Sequence, residues 1–323
     1  MLFITNRFPT QSIRSRKGRR FTFDLDNNAP SNSVFYCETG AEGHHTEITS
    51  DELLKRVRES QRRQILLYVH GFNNLPDVVF ERAAELQAFC DAAKPKEVLV
   101  LPLIWPCDNG LGVVRDYWDD QKSADQSGYS FARVLERFMK WRNSADNEPE
   151  VAPCLKRINL IAHSMGNRVL RQTLVAWDQY DLAAGVPLLL RNTFMVAADV
   201  VNETVHEGKP GALISHASRN VVVYYASDDL ALRASKAANL RNKVASRRLG
   251  HTGPENIGRT PRNVFQVDCD DVNTSYDTPT GHMYFLDDGG GKKPGKVFNH
   301  MFDCILNGRV FPDDPDQRSI ILK

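Results

Sequence analysis

One stretch of this sequence, residues 159–170, restricts the fold more than any other. It reads Asn-Leu-Ile-Ala-His-Ser-Met-Gly-Asn-Arg-Val-Leu, and an apolar run passes directly into a helical pattern at its centre. Ala162 and Gly166 stand two residues before and two residues after Ser164, where a strand and a helix come so close that small side chains are needed. The stretch therefore predicts a strand, a sharp turn and a helix, with Ser164 at the apex in strained backbone geometry. An ordinary strand–helix turn can also contain a serine, so other parts of the sequence are needed to indicate whether Ser164 is a nucleophile.

Apolar runs typical of strands buried on both faces alternate with helical patterns along most of the chain. The predicted buried strands are residues 64–69, 97–105, 157–162, 193–197, 220–226 and 264–267. The predicted helices are residues 47–63, 77–93, 127–142, 166–177, 230–240 and 296–306. Three short β-rich pieces, residues 2–5, 21–25 and 33–37, precede them and indicate antiparallel strands. This order predicts an α/β fold with a mostly parallel, doubly wound sheet, antiparallel N-terminal strands and helices on both faces.

Composition excludes several classes of function. The net charge is +1, so no overall field favours nucleic acid or a membrane surface as partner, and no run approaches the about 18 apolar residues of a membrane span. The six cysteines are scattered without a Cys-x-x-Cys pair, and we expect free thiols, no metal and no cofactor. The N-terminus has no signal-peptide pattern, which together with the thiols predicts a cytoplasmic protein.

Chemistry-bearing residues follow the predicted strands at their carboxyl ends, where open parallel sheets place their sites. They are Ser164, Asp199, Asp228, Asp229 and Asp268, and His282 lies on a later loop. A serine, then a carboxylate, then a histidine is the chain order of α/β hydrolases. A serine hydroxyl needs a base such as His282 to take its proton, and a carboxylate has to orient that imidazole. The backbone N–H of Met165, directly after the serine, is the predicted first oxyanion donor.

The loop after the 64–69 strand is predicted to supply the second oxyanion donor. The backbone N–H of Phe72 is the candidate, with Asn73 as the alternative.

Several motifs recur in an order that resembles a known family. They are His70-Gly71-Phe72-Asn73, Trp105-Pro106, Tyr117 with Asp120, residues 162–167, Ala198-Asp199, residues 225–232, Arg248-Leu249-Gly250 and Gly281-His282. Over residues 2–285 the chain resembles the bacterial α/β-hydrolase family known only as a domain of unknown function, related to lipases and esterases. The resemblance implies a serine hydrolase without a defined substrate. It favours Asp229 as the acid, since this superfamily usually takes its acid after this strand, and leaves Asp199 and Asp228 as alternatives.

The other histidines have alternative explanations. His163 is expected to point away from the serine, and His70 to shape the oxyanion loop. His251 is predicted to be solvated, and His300 structural.

Residues 1–323 are predicted to form a single α/β-hydrolase domain, with residues 1–60 as a β-rich extension of its sheet. Residues 107–126 and the basic stretch 240–262 are candidate loops over the active site. The basic stretch is either a solvent-exposed loop or a segment that recognises an anionic substrate group through Arg247 or Arg248. Trp105, Tyr117 and Trp118 could line an acyl pocket or simply pack in the core, so no substrate-binding residue is assigned.

The sequence thus predicts an enzyme that cleaves a small-molecule carboxylic ester or thioester with Ser164, Asp229 and His282. The alternative is a catalytically inactive α/β-hydrolase fold that serves as a binding module.

Overall fold

The computed structural model describes residues 1–107, 113–143, 154–180, 185–240, 247–311, 313–314 and 316–323. They divide into two compact units, which are residues 1–158 with 172–186 and residues 159–171 with 187–323. The strands are β1 Leu2–Arg7, β2 Arg20–Phe21, β3 Pro30–Thr39, β4 His45–Ile48, β5 Gln64–Val69, β6 Val98–Ile104, β7 Arg157–His163, β8 Leu190–Val196, β9 Ser218–Tyr225, β10 Val264–Asp268 and β11 Ser319–Ile321. The helices are α1 Ser50–Glu59, α2 Pro76–Ala93, α3 Val113–Arg142, α4 Gly166–Tyr180, α5 Ala212–Ala217, α6 Leu230–Leu240, α7 Leu249–Thr252, α8 Asn273–Tyr276 and α9 Lys296–Asn307.

In the first unit, the strands lie in the order β5-β6-β1-β3-β4-β2. β5, β6 and β1 are parallel, and β3, β4 and β2 continue the sheet in antiparallel fashion. Every residue of β5 is buried, which explains its unbroken apolar sequence. The predicted antiparallel N-terminal strands are confirmed, although β4 occupies the start of the stretch predicted as a helix over residues 47–63.

In the second unit, strands β7 to β11 are all parallel and lie in chain order. A ladder of buried asparagines crosses three of them. Asn192 Nδ2 donates to Asn159 Oδ1 at 2.7 Å, and Asn220 Nδ2 donates to Asn192 Oδ1 at 2.8 Å. Buried amides cost free energy unless they are paired, so the ladder disfavours any other strand register.

Two predicted loops differ from the structure. Residues 107–126 are not a loop throughout, because α3 begins at Val113, while residues 108–112 lie outside the described part. In the 240–262 stretch, α7 and a short 3₁₀ helix at Ile257–Arg259 are formed, and residues 241–246 lie outside the described part. The prediction of a single domain over residues 1–323 stays a prediction.

Candidate active site

Ser164 lies in the sharp turn between β7 and α4, in the second unit. Its φ of +52° is in the left-handed region, which non-glycine residues rarely adopt and which costs on the order of 1–3 kcal/mol. The backbone around it holds this conformation. Ser164 N–H donates to Val196 O at 2.9 Å, and Ser164 O accepts from Asp199 N–H at 3.2 Å. Asn167 Nδ2 ties the turn together by donating to Ala162 O at 2.8 Å and to Ser164 O at 3.2 Å.

The Ser164 side chain remains available for chemistry. The residue is 6% exposed. Within the described part of the chain, its Oγ has no hydrogen-bond partner, and no backbone acceptor engages the N–H of Met165. The structure thus places an unengaged hydroxyl next to an unengaged backbone donor.

Asp229 and His282 are in direct contact. Asp229 Oδ2 lies 2.7 Å from His282 Nδ1, and the carboxylate is fully buried. Its other oxygen, Oδ1, accepts from Leu232 N–H at 2.9 Å and caps α6. Asp229 therefore combines the capping of a helix with the contact to the imidazole.

The other two candidate acids have different partners. Asp199 Oδ1 accepts from Ser235 Oγ at 2.6 Å and lies 3.1 Å from Arg248 Nε. Asp228 Oδ1 accepts from Asn273 Nδ2. Both aspartates thus contact residues other than His282 in the second unit.

Three hydrogen bonds hold the backbone of His282 and Met283, and one of the partners, Asp277, was missed from the sequence. Asp277 Oδ2 accepts from the backbone N–H groups of His282 at 2.7 Å and Met283 at 2.8 Å. His163 Nε2 donates to His282 O at 3.1 Å. The signal for Asp277 is its place in the loop five residues before His282, because aspartate side chains in turns accept from nearby backbone N–H groups.

The electrostatics of His282 favour its charged form. Burial lowers the pKa of the imidazole, but the negative charge and hydrogen bond of Asp229, with the charges of Asp199 and Asp277, outweigh burial. The net pKa is raised above its ordinary value. The carboxylates around the ring therefore stabilise an imidazolium.

His70 and the oxyanion-loop candidates belong to the first unit. His70 Nδ1 donates to Gly71 O at 2.9 Å, and its Nε2 accepts from Trp105 N–H at 3.1 Å. Burial lowers the pKa of His70 to about 4, so the ring is neutral. The hydrogen bond that its Nε2 accepts from Trp105 N–H connects the end of β5 to the end of β6. Phe72 follows in this braced loop, and its part in an oxyanion hole stays a prediction, as does that of Asn73.

The aromatic residues considered for an acyl pocket are packed in the first unit. Trp105 is fully buried and donates from Nε1 to His70 O at 2.8 Å. Tyr117 packs edge-on against Phe72, with ring centroids 5.7 Å apart. Trp105 and Tyr117 thus have packing partners that account for their burial.

The remaining histidines differ in their surroundings. His300 Nδ1 lies 2.7 Å from Tyr224 Oη, in keeping with a structural role. His251 is half-buried on α7 rather than fully solvated.

Comparison with known families decides the classification. The family model described as "Alpha/beta hydrolase of unknown function (DUF900)" matches residues 45–288, which is well over half of the chain.

The chain belongs to this family. The resemblance and the predicted α/β-hydrolase fold class are thereby confirmed.

Other comparisons add little to this α/β hydrolase. None of the curated proteins compared with it matches. One solved structure, endo-β-N-acetylglucosaminidase from Cordyceps militaris in apo form, aligns with 10% identity over 72% of this chain and 78% of that chain. Its TM-score is 0.17, which is too low to bear on fold or activity.

The described residues contain no helix long and apolar enough to cross a membrane. They also contain no group of three or more His, Cys, Asp or Glu side chains that could hold a metal ion. All six cysteines are buried, and none of them forms a disulfide bond.

Proposed function

We propose that this α/β hydrolase is a serine hydrolase that cleaves a carboxylic ester or thioester through an acyl-enzyme on Ser164. The observation that carries the proposal is the contact of 2.7 Å between buried Asp229 and His282 Nδ1, in the unit that also holds Ser164 in its strained turn. A buried carboxylate on Nδ1 leaves Nε2 as the proton acceptor, which is the arrangement that a serine nucleophile requires.

The proposed reaction has two halves. His282 Nε2 takes the proton of Ser164 Oγ as the oxygen attacks the substrate carbonyl, and Asp229 stabilises the resulting imidazolium. Met165 N–H donates to the developing oxyanion, and Phe72 N–H is the predicted second donor. The imidazolium then protonates the leaving alcohol or thiol. Water, deprotonated by His282, finally releases the acid from Ser164.

A fluorophosphonate probe tests the proposal against the alternative of an inactive binding module. Covalent modification of Ser164, located by mass spectrometry of peptides, is the expected result, because the probe reacts fastest with a serine that an adjacent base activates. Since no metal is predicted to take part, we expect the same labelling in the presence of a chelator. An intact protein whose Ser164 stays unmodified would favour the binding module.

The raised pKa of His282 predicts the position of the acid limb of the pH–rate profile. The base has to be neutral to accept a proton, so kcat/KM is expected to fall as the pH drops, with a midpoint above the ordinary value of about 6.5. The profile should be measured on an unbranched p-nitrophenyl ester. A midpoint well below that value would show that burial, not Asp229, controls the imidazole.

Asp277 is predicted to act as a positioning residue for His282. Asp277→Ala removes the acceptor of two backbone N–H groups, and we expect kcat to fall about tenfold with little change in KM, because the histidine loop loosens. Asp277→Asn keeps an acceptor oxygen and is expected to restore kcat at high pH.

The pH profile of Asp277→Asn separates positioning from general damage. The substitution removes one of the charges that raise the pKa of His282, so its acid limb is expected to move to lower pH. Equal loss of kcat in the Ala and Asn variants, with an unmoved acid limb, would contradict the positioning role.

A further inference from the structure

Arg248 is a buried cation held at the ends of two strands of the second unit. It is 4% exposed and directly precedes α7. Leu249 N–H donates to Val200 O at 2.8 Å, and Gly250 N–H donates to Ala198 O at 2.9 Å, along the chain that follows β8. The backbones are so close that a Cβ on Gly250 would meet Ala198 N at 2.1 Å. The segment therefore has little freedom to move away from the end of β8.

The same segment also contacts the chain that follows β9. Ala226 N–H donates to Gly250 O at 3.0 Å, three residues before Asp229. The backbone that follows Arg248 is thus held by hydrogen bonds to the segments after β8 and β9, which carry Asp199 and Asp229.

The link from Arg248 to the nucleophile runs through Asp199. Asp199 N–H donates to Ser164 O, while its carboxylate Oδ1 lies 3.1 Å from Arg248 Nε. The charge of Asp199 also acts on the imidazole of His282. Asp199 therefore connects Arg248 to the serine turn, and the charge of this aspartate also affects the proposed base.

The hydrogen-bonding capacity of Arg248 is only partly used. A guanidinium has five N–H donors in a planar fork. Asp199 Oδ1 faces Nε, and that oxygen also accepts the short hydrogen bond from Ser235. In the described part of the chain, Nε faces Asp199 without hydrogen-bond geometry, and no hydrogen bond engages Nη1 or Nη2. A buried fork with both terminal nitrogens unengaged is a suitable partner for a planar anion.

We propose that Arg248, oriented by Asp199, binds an anionic group of the substrate, so that the preferred substrates are esters that carry a carboxylate apart from the scissile bond. This inference rests on the proposed serine-hydrolase function and assigns a substrate class to that site. The charge-assisted contact would select anionic esters over neutral esters of equal length.

Matched pairs of esters test the proposal. One arm compares mono-p-nitrophenyl adipate with p-nitrophenyl hexanoate, which places the carboxylate on the acyl side. The other arm compares 4-carboxyphenyl hexanoate with phenyl hexanoate, which places it on the leaving group. In at least one arm we expect kcat/KM to favour the anionic ester by about tenfold or more, after correction for spontaneous hydrolysis.

The preference should depend on Arg248 and not on its neighbour. Arg248→Gln is expected to reduce the anionic-to-neutral ratio towards one, whereas Arg247→Gln, at an exposed neighbouring position, is the matched control and should keep the ratio. Because Arg248→Gln leaves Asp199 buried without its counter-charge, the double variant Asp199→Asn/Arg248→Gln removes the pair as a unit and should show the same loss of ratio. A parallel loss on both esters, or no preference in either arm, would overturn the proposal.

A binding measurement separates failure of this inference from failure of the proposed function. If no ester is cleaved, calorimetric titration with monomethyl adipate still tests Arg248. Binding to the native protein and to Arg247→Gln, but not to Arg248→Gln, would support the anion site. Equal binding by all three proteins, or binding by none, would overturn it.

Discussion

Replacing Ser164 by alanine is expected to lower ester turnover by at least about 10³-fold while the protein stays folded. The substitution removes the attacking oxygen, and only substrate binding and the oxyanion donor remain. Alanine adopts a φ of +52° about as poorly as serine, so backbone strain changes little. Because Ser164 Oγ has no hydrogen-bond partner in the described part of the chain, its loss strands no buried donor.

Turnover of the p-nitrophenyl ester and thermal unfolding should be measured on the same preparations. Ser227→Ala is the matched control, since Ser227 also follows a parallel strand but its hydroxyl donates to Asp270 Oδ2 at 2.7 Å. We expect this control to keep the native rate. A clean Ser164→Ala preparation with native turnover would remove the basis of the proposed mechanism.

Replacing Asp229 by asparagine is expected to lower kcat by about 10²–10⁴-fold with little change in KM. The shape is kept, but the negative charge that stabilises the imidazolium is lost, and its help is felt mainly in the transition state. The lost charge is also the main contribution that raises the pKa of His282, so the acid limb should move to lower pH. Rate and pH profile therefore report the same contact independently.

The neighbouring aspartates provide the controls. Asp228→Asn, at a half-buried position where Asp228 Oδ1 accepts from Asn273 Nδ2 and not from His282, should keep kcat. Asp199→Asn should instead lower the melting temperature, because it leaves Arg248 buried without its counter-charge. If Asp199→Asn reduced kcat as much as Asp229→Asn at equal stability, the assignment of the acid would be wrong.

The sequence predicted the parallel strands well because a strand that is buried on both faces has an unbroken apolar sequence. β5 was predicted with its observed bounds, since each of its residues is buried. β11 was missed because it is a three-residue strand with two exposed residues, which leaves no such trace.

The first half of α3 was missed for a different physical reason. The face that it buries is polar, and its side chains bond to the N-terminal region instead of packing as hydrophobes. Asp120 Oδ1 accepts from Asn28 Nδ2, and Ser123 Oγ donates to Asn28 O. The spacing is helical, but an analysis of apolar periodicity does not detect it.

The residues of the candidate site were predicted to different depths. Ser164 is marked by the small residues around it, and His282 by its place in the chain order. The choice among Asp199, Asp228 and Asp229 needed three-dimensional geometry, because all three follow buried strands. Asp277 was missed, since its contribution is to the backbone of the histidine loop and not to a side chain.

The proposed nucleophile and the proposed acid each lie at the start of a helix. Ser164 lies two residues before α4 and Asp229 directly precedes α6, so each lies near the positive end of a helix dipole. In the proposed reaction, negative charge is present on Asp229 throughout and appears on the substrate oxygen beside Met165 in the transition state. The two helix N-termini therefore stabilise negative charge both on Asp229 and on the substrate oxygen. Because the backbone N–H groups supply this stabilisation, no side-chain substitution removes it.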